Sequence, residues 1–406
     1  MRRATVDHPA VPEVSMSLAY PPLSSRLDGL QSSAIRDLLK LTARGDIISL
    51  AGGLPDPRLM PLDRIAAATE AALSERARLQ YTESAGWGPL LEVLAGRESA
   101  RLGRPVPVEE VFVTHGSQQA LSLLAEVLLD PGALVVVEDP AYVGALQVFR
   151  AAGARIVAVP LDAEGMRVDV LSDLLARGER PALVHTVSNF HNPRGVTMSA
   201  QRRAGLAELA ARHNFWVIED DPYGELWFDR PVPDPVATYS RNVIRLSSAS
   251  KILAPALRAG WMVAPAAVCR GVELLKQGAD LCGSALTQQI TADLLADTEW
   301  LAAHVNTVRS SYGERAKALV TELRTRFGDR IVSTDAAGGM FVWADFTDGT
   351  DTAALLPRAV EHGVAFVPGA AFAVSTDYRH SMRLCFTTDE PETLAEAVDR
   401  LHRAIG

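Results

Sequence analysis

The sequence predicts an α/β fold, with a large domain on a mostly parallel, seven-stranded sheet and a smaller α+β domain after it. Three observations lead there. Between residues 110 and 265, seven apolar runs of strand length recur, at 111–113, 134–137, 156–159, 183–186, 215–218, 243–246 and 261–264. Helical patterns, such as 118–129 and 200–213, fall between several of them. Strands alternating with helices are what a parallel sheet with crossover helices requires. After about residue 285 the alternation stops. One long helical stretch, roughly 287–327, precedes strands at 340–344 and 382–386 and a last helix near 391–404. Such segregation reads as α+β. Finally, 406 residues, 48% hydrophobic and 22% charged, suffice for two cores.

Taken in order, residues 1–28 are rich in Pro and Ser and read as a flexible arm. Residues 29–60 are expected to pack with the small domain. Within them, Ser32 or Ser33 can cap a helix that carries Arg36. A short extended piece at 48–56 then ends in Gly52-Gly53-Leu54-Pro55-Asp56. The large domain is expected over 61–285 and the small one over 286–406. No internal repeat interrupts this plan.

Composition narrows the partners. A net charge of -9 disfavours nucleic acid, whose phosphates need a basic surface. The three cysteines, Cys269, Cys282 and Cys385, lack metal-ligand spacing, so no metal is expected and a reducing compartment is. No apolar run reaches membrane-span length, and the polar, Pro-rich start does not resemble a signal peptide. A soluble cytoplasmic protein is therefore expected.

Six motifs can carry chemistry, and each sits where a strand is expected to end or, for Arg383, within one. Ligands of open α/β sheets bind beyond the strands' carboxyl ends. The first is Thr114-His115-Gly116-Ser117-Gln118. Here a glycine turn opens a helix whose free N–H groups can seat an anion. Tyr142, in EDPAY, can stack on an aromatic ring. Asn192, held extended by Pro193, can hydrogen-bond a phenolate-like oxygen. Asp220, just after its strand and three residues before Tyr223, can pair with a protonated ring nitrogen. Asp221 is the neighbouring alternative. Lys251 follows Ser247, Ser248 and Ser250, with Arg258 seven positions on. A partly neutral lysine forms Schiff bases, and the serines and arginine can hold a phosphate beside it. That pairing suggests pyridoxal 5'-phosphate. Arg383 is flanked by apolar residues on a strand. It needs a partner, which a substrate carboxylate or a structural salt bridge could supply.

Together these motifs resemble those of the fold type I pyridoxal-phosphate-dependent aminotransferases of class I/II. The resemblance runs from about residue 25 to the C-terminus. It is nearest to the branch of 2-aminoadipate and broad-specificity aminotransferases. It is carried by SLAGGLPDP, LQYTESAGWGPL, THGSQQAL, EDPAY, NPRG, EDDPY, SxSKxLAPxLRxGW, KQGADL, GGMFVW, VAFVPG and MRLCF.

The resemblance implies roles. Lys251 would be the Schiff-base lysine and proton shuttle, and Asp220 the ring-nitrogen partner. Asn192 and Tyr223 would hold the ring oxygen, and Tyr142 would stack. Gly116, Ser117, Gln118, Ser248, Ser250 and Arg258 would surround the phosphate. Tyr81 would reach the phosphate of a neighbouring subunit, which implies a homodimer with shared active sites. Arg383 would clamp the substrate α-carboxylate beside Asn192 and Gly53, and Arg36 would meet an acidic side chain.

The implied activity is transfer of an amino group from an L-amino acid to a 2-oxo acid, with 2-oxoglutarate the expected acceptor. The alternative is another reaction on the same scaffold, such as elimination, cyclisation or carbon–carbon bond formation in specialised biosynthesis. Four departures raise it. Arg194 stands where the family has Thr, His191 where it has Gln, small Ala249 precedes the Ser-Lys pair, and Cys282 follows KQGADL. They lead one to expect altered pocket surroundings, with an added cation at Arg194.

Overall fold

The computed structural model describes Ser24 and residues 45–406. The rest of the 1–28 arm and the expected helix carrying Arg36 lie outside those residues.

The first strand, β1 (Ile48–Ser49), stands apart from the main sheet. The main sheet is built from β2 (Val111–Thr114), β3 (Leu134–Asp139), β4 (Arg155–Asp162), β5 (Gly165–Met166), β6 (Leu183–Thr186), β7 (Trp216–Asp220), β8 (Val243–Ser248) and β9 (Gly260–Val263). Their spatial order is β2-β9-β8-β7-β6-β3-β4-β5. All seven expected strands are present, and the two-residue β5 extends one edge. From β8 to β4 the neighbours run parallel. β9 is reversed between β2 and β8.

Alternating side chains explain why these strands read as continuous apolar runs. Phe112, Val135, Val137, Ile218 and Leu246 enter one core, under helices Ser117–Leu128 and Ala266–Ala279. Their neighbours Val113, Val136, Val217 and Val243 enter the other. A sheet buried on both faces has no polar side to alternate with.

A second sheet is formed by β10 (Ile331–Ser333), β11 (Phe341–Phe346), β13 (Val367–Pro368) and β14 (Ser381–Cys385), all antiparallel, in the order β10-β11-β14-β13. Between β11 and β13, β12 (Val364–Ala365) pairs instead with β1, in parallel. Helices Thr298–Phe327 and Pro391–Ile405 supply Leu319, Leu323, Leu394 and Val398 to the core that also holds Val342 and Leu384.

The single helix expected over 287–327 is two, Ala285–Ala296 and Thr298–Phe327. Asp297 leaves helical geometry at φ -81°, ψ 79°, and its carboxylate accepts from the Trp300 N–H. It is an N-cap inside an apolar pattern, which periodicity alone does not reveal.

Candidate active site

The loops leaving one edge of the large sheet enclose a cavity of about 620 Å³. Gly53, Gly116, Ser117, Gln118, Tyr142, Asn192, Asp220, Tyr223, Ser248, Ser250, Lys251, Arg258 and Arg383 all line it. Tyr81 does not, and it is 78% exposed. Arg36 lies outside the described residues.

The reversal of β9 assembles one end. Gly260, at its start, pairs with Thr114 on one side and Ser248 on the other. Three loops therefore meet there. A Cβ on Gly260 would lie 2.6 Å from the Gly116 Cα, so only glycine allows the approach. Gly116 turns at φ +77°, and no side chain caps the helix it opens. The first N–H groups of that helix are left for an anion. Arg258, at φ +50°, donates from Nη2 to the His115 carbonyl at 2.6 Å. The Ser248 Oγ accepts from the Ser250 N–H at 3.1 Å and lies 2.9 Å from the Ser250 Oγ.

In the middle stand the base, the acid and the phenols. Lys251 donates from Nζ to the Gly53 carbonyl at 3.0 Å. Burial pushes its amine down to about 8, against Cys385 and with help from Arg383 and Arg258. Asp220 is 2% exposed, and its Oδ1 has no hydrogen-bond partner in the protein. The nearby His185 Nε2 is 3.8 Å from Oδ2. The alternative acid, Asp221, faces away from the cavity. It accepts from Arg245 Nη2, Asn189 Nδ2 and the Gly224 N–H at 2.8, 2.8 and 2.9 Å. Burial pushes the Tyr142 hydroxyl up to about 12, with Asp220 adding to it. That hydroxyl donates to Gln118 Oε1 at 3.1 Å. Burial likewise holds Tyr223 well above the ordinary phenol range.

At the far end, Arg383 is central on β14, paired with Trp343 on one side and Val367 on the other. Nη1 donates to Asn192 Oδ1 at 2.9 Å, and Nη2 to the carbonyls of Ala51 and Gly52 at 2.8 and 3.0 Å. Its Nε is buried without a partner. The guanidinium lies 4.2 Å from the Phe341 ring centre and 5.1 Å from that of Phe372. Burial pushes it down to about 10. Among the described residues no carboxylate pairs with it, so the salt-bridge reading fails.

These features suit pyridoxal phosphate. The unsatisfied Asp220 oxygen matches a protonated ring nitrogen. The lysine has a lowered affinity for its proton. The Gly116 turn would be filled by a Cβ, which would fall 2.8 Å from Arg258 Nη2.

The expected alteration of the pocket by four unusual residues is not what the structure has. Arg194, His191, Ala249 and Cys282 do not line the cavity. His191 is buried with Nε2 3.0 Å from the Glu138 carboxylate, and its Nδ1 accepts from the Arg194 N–H at 3.3 Å. Ala249 is fully buried in the core. Conversely, Leu54, Gln147 and Phe341 line the cavity and were not singled out. Phe341 could have been, because it stands in GGMFVW.

A sequence profile described as "Aminotransferase class I and II" matches residues 46–401. The aromatic-amino-acid aminotransferase 1 of Thermococcus litoralis is 39% identical, over 94% of this chain and 93% of its own. The structure of the Pyrococcus horikoshii kynurenine aminotransferase, in complex with PMP, superposes with a TM-score of 0.89. It is 38% identical and covers 94% of this chain and 96% of its own. The alpha-aminoadipate aminotransferase of Thermus thermophilus, complexed with N-(5'-phosphopyridoxyl)-L-leucine, gives 0.87 at 35% identity, covering 94% and 97%.

Proposed function

This chain belongs to the class I and II aminotransferases and is a pyridoxal-phosphate-dependent enzyme, and on that premise we propose which of its residues act and on what substrates. When bound, pyridoxal phosphate supplies an aldehyde to capture an amine and a cationic ring that draws electrons from the substrate carbon.

Lys251 is the anchoring amine. Freed by the incoming substrate, its amine would be the group that moves the proton at the substrate Cα. Asp220 holds the proton on the ring nitrogen. Asn192 and Tyr223 fix the ring oxygen, and Tyr142 packs on the ring. Ser117, Gln118, Ser248, Ser250 and Arg258, with the turn at Gly116, hold the phosphate. Arg383 takes the α-carboxylate, and Gly53 leaves room beside it.

The observation that carries this reading is the arrangement of charge. Three cations line the cavity, Lys251, Arg258 and Arg383. With the first at the reacting bond and the second at the phosphate, the third is left for one carboxylate. The described lining then has no cation for an acidic side chain, while Leu54 and Phe341 offer apolar surface. Leu54 and Phe341 favour an amino donor with an apolar or aromatic side chain. The acceptor is 2-oxoglutarate, with Arg36 taking its distal carboxylate.

The working unit is a homodimer in which the exposed Tyr81 reaches the partner's phosphate site. Residues 61–285 form the cofactor domain and 286–406 the small domain, with 29–60 packed on the latter. No helix among the described residues is long and apolar enough to cross a membrane, consistent with a cytoplasmic enzyme.

Single-turnover mixing of the holoenzyme with L-phenylalanine tests the reading. One equivalent of 2-oxo acid and one of pyridoxamine phosphate per protomer are expected. Release of ammonia with the cofactor unchanged would refute it.

A further inference from the structure

A second cavity, of about 690 Å³, shares Pro222 and Ser248 with the catalytic one. It lies on the side of the turn to which Asp221 points, between helices Gly88–Leu102 and Thr298–Phe327. Four arginines line it, and two of them are paired with carboxylates. Arg245 bonds Glu98 at 2.9 Å and Asp221 at 2.8 Å. Arg97 pairs with Glu225.

The other two form no close ion pair among the described residues, although Glu225 acts on Arg309 and Arg101 on Asp221 at longer range. Arg309 donates from Nε to the Glu225 carbonyl at 2.6 Å and lies 3.8 Å over the Trp227 ring, but among the described residues it pairs with no carboxylate. Arg101 likewise has no carboxylate partner there. Its Nη2 is buried with no hydrogen-bond partner. Buried guanidinium donors are nearly always satisfied, and an orphan is costly. The charges also oppose one another. Burial, helped by the Arg101 charge and opposed by Glu225, holds Arg309 below the ordinary arginine range, and burial with Arg101 lowers Arg203 against Glu219 and Asp221. A small anion would satisfy the orphan donor and relieve this repulsion together.

We propose that this cavity is a second ligand site, taking a small oxyanion, carboxylate or phosphate, held by Arg101 and Arg309. It is separate from the substrate-carboxylate site at Arg383 and from the cofactor's phosphate seat.

Malonate and inorganic phosphate, titrated separately into the holoenzyme by calorimetry, test this. The cofactor already fills the catalytic phosphate seat, so phosphate is titrated into the wild type. Malonate is titrated into R383Q, which removes the catalytic carboxylate site. One anion per protomer is expected to bind, and the anion that binds identifies its source. R101Q and R309Q should each weaken that binding by at least ~10-fold, as loss of a charged hydrogen bond implies. If one variant fails to fold, the other decides. Binding of neither anion, or binding unchanged in R101Q and R309Q, overturns the proposal.

Discussion

Replacing Asp220 with asparagine should move two quantities in opposite directions. In the protein alone, Asp220 is 2% exposed with an unsatisfied Oδ1, and the His185 nitrogen at 3.8 Å is too far to hydrogen-bond. A buried carboxylate in this state costs about 1–3 kcal/mol. Asparagine is nearly isosteric and uncharged, so D220N should stabilise the apoenzyme by roughly 1 kcal/mol or more. With pyridoxal phosphate bound, the same change removes a charge-assisted hydrogen bond worth about 1.5–3 kcal/mol. The cofactor's dissociation constant should therefore rise roughly 10- to 150-fold. Urea unfolding of the two apoenzymes reads the first effect, and absorbance titration with cofactor the second. D221N is the control. Asp221 neutralises buried Arg245 and bonds Asn189 and Gly224, so its loss should destabilise the apoenzyme by about 3 kcal/mol. A D220N apoenzyme weakened like D221N, with unchanged cofactor affinity, would refute the assignment of Asp220 to the ring nitrogen.

Three further outcomes follow from the same geometry. R383Q should raise KM for amino and oxo acids by roughly 10- to 150-fold, the loss of a charged hydrogen bond, while the cofactor spectrum stays unchanged. Burial holds Lys251 at about 8, and only the neutral amine attacks an aldehyde. Cofactor uptake by the apoenzyme should thus accelerate as pH rises through about 8 and then level off; a midpoint near the ordinary lysine value of 10.5 would contradict the burial seen here. G116A places a Cβ 2.8 Å from Arg258 Nη2 at a backbone φ of +77°. It should cost about 1–3 kcal/mol of stability and weaken phosphate binding, read by unfolding and by cofactor titration.

Much of this site was legible because most of its residues stand at or just after the end of a strand, and strand ends are visible as breaks in apolar runs. Asp220 and Ser248 end β7 and β8, so the parallel sheet itself gathers them. What sequence left open was direction. Asp220 and Asp221 are adjacent, and only the pleat and the pull of Arg245 decide which one faces the cavity. Arg383 lies in a different sheet, and nothing local in MRLCF distinguishes a salt bridge from a substrate clamp. The absence of an acid beside it appears only once β14 is placed against Ala51 and Gly52. Arg194, His191 and Ala249 show the opposite failure. They are near the site in sequence, but His191 and Ala249 are turned into the interior and Arg194 is half-buried outside the cavity lining. The short β5 and the break at Asp297 escaped because two residues, or one cap, leave no periodic signal.

The central claim is that Lys251 carries the cofactor. The chain has four lysines, Lys40, Lys251, Lys276 and Lys317, so the claim can be read directly. Reduction of the holoenzyme with borohydride, followed by peptide mass mapping, should place the pyridoxyl group on Lys251 at one equivalent per protomer. A label on Lys40, Lys276 or Lys317, or a K251A variant that is still labelled, would contradict it.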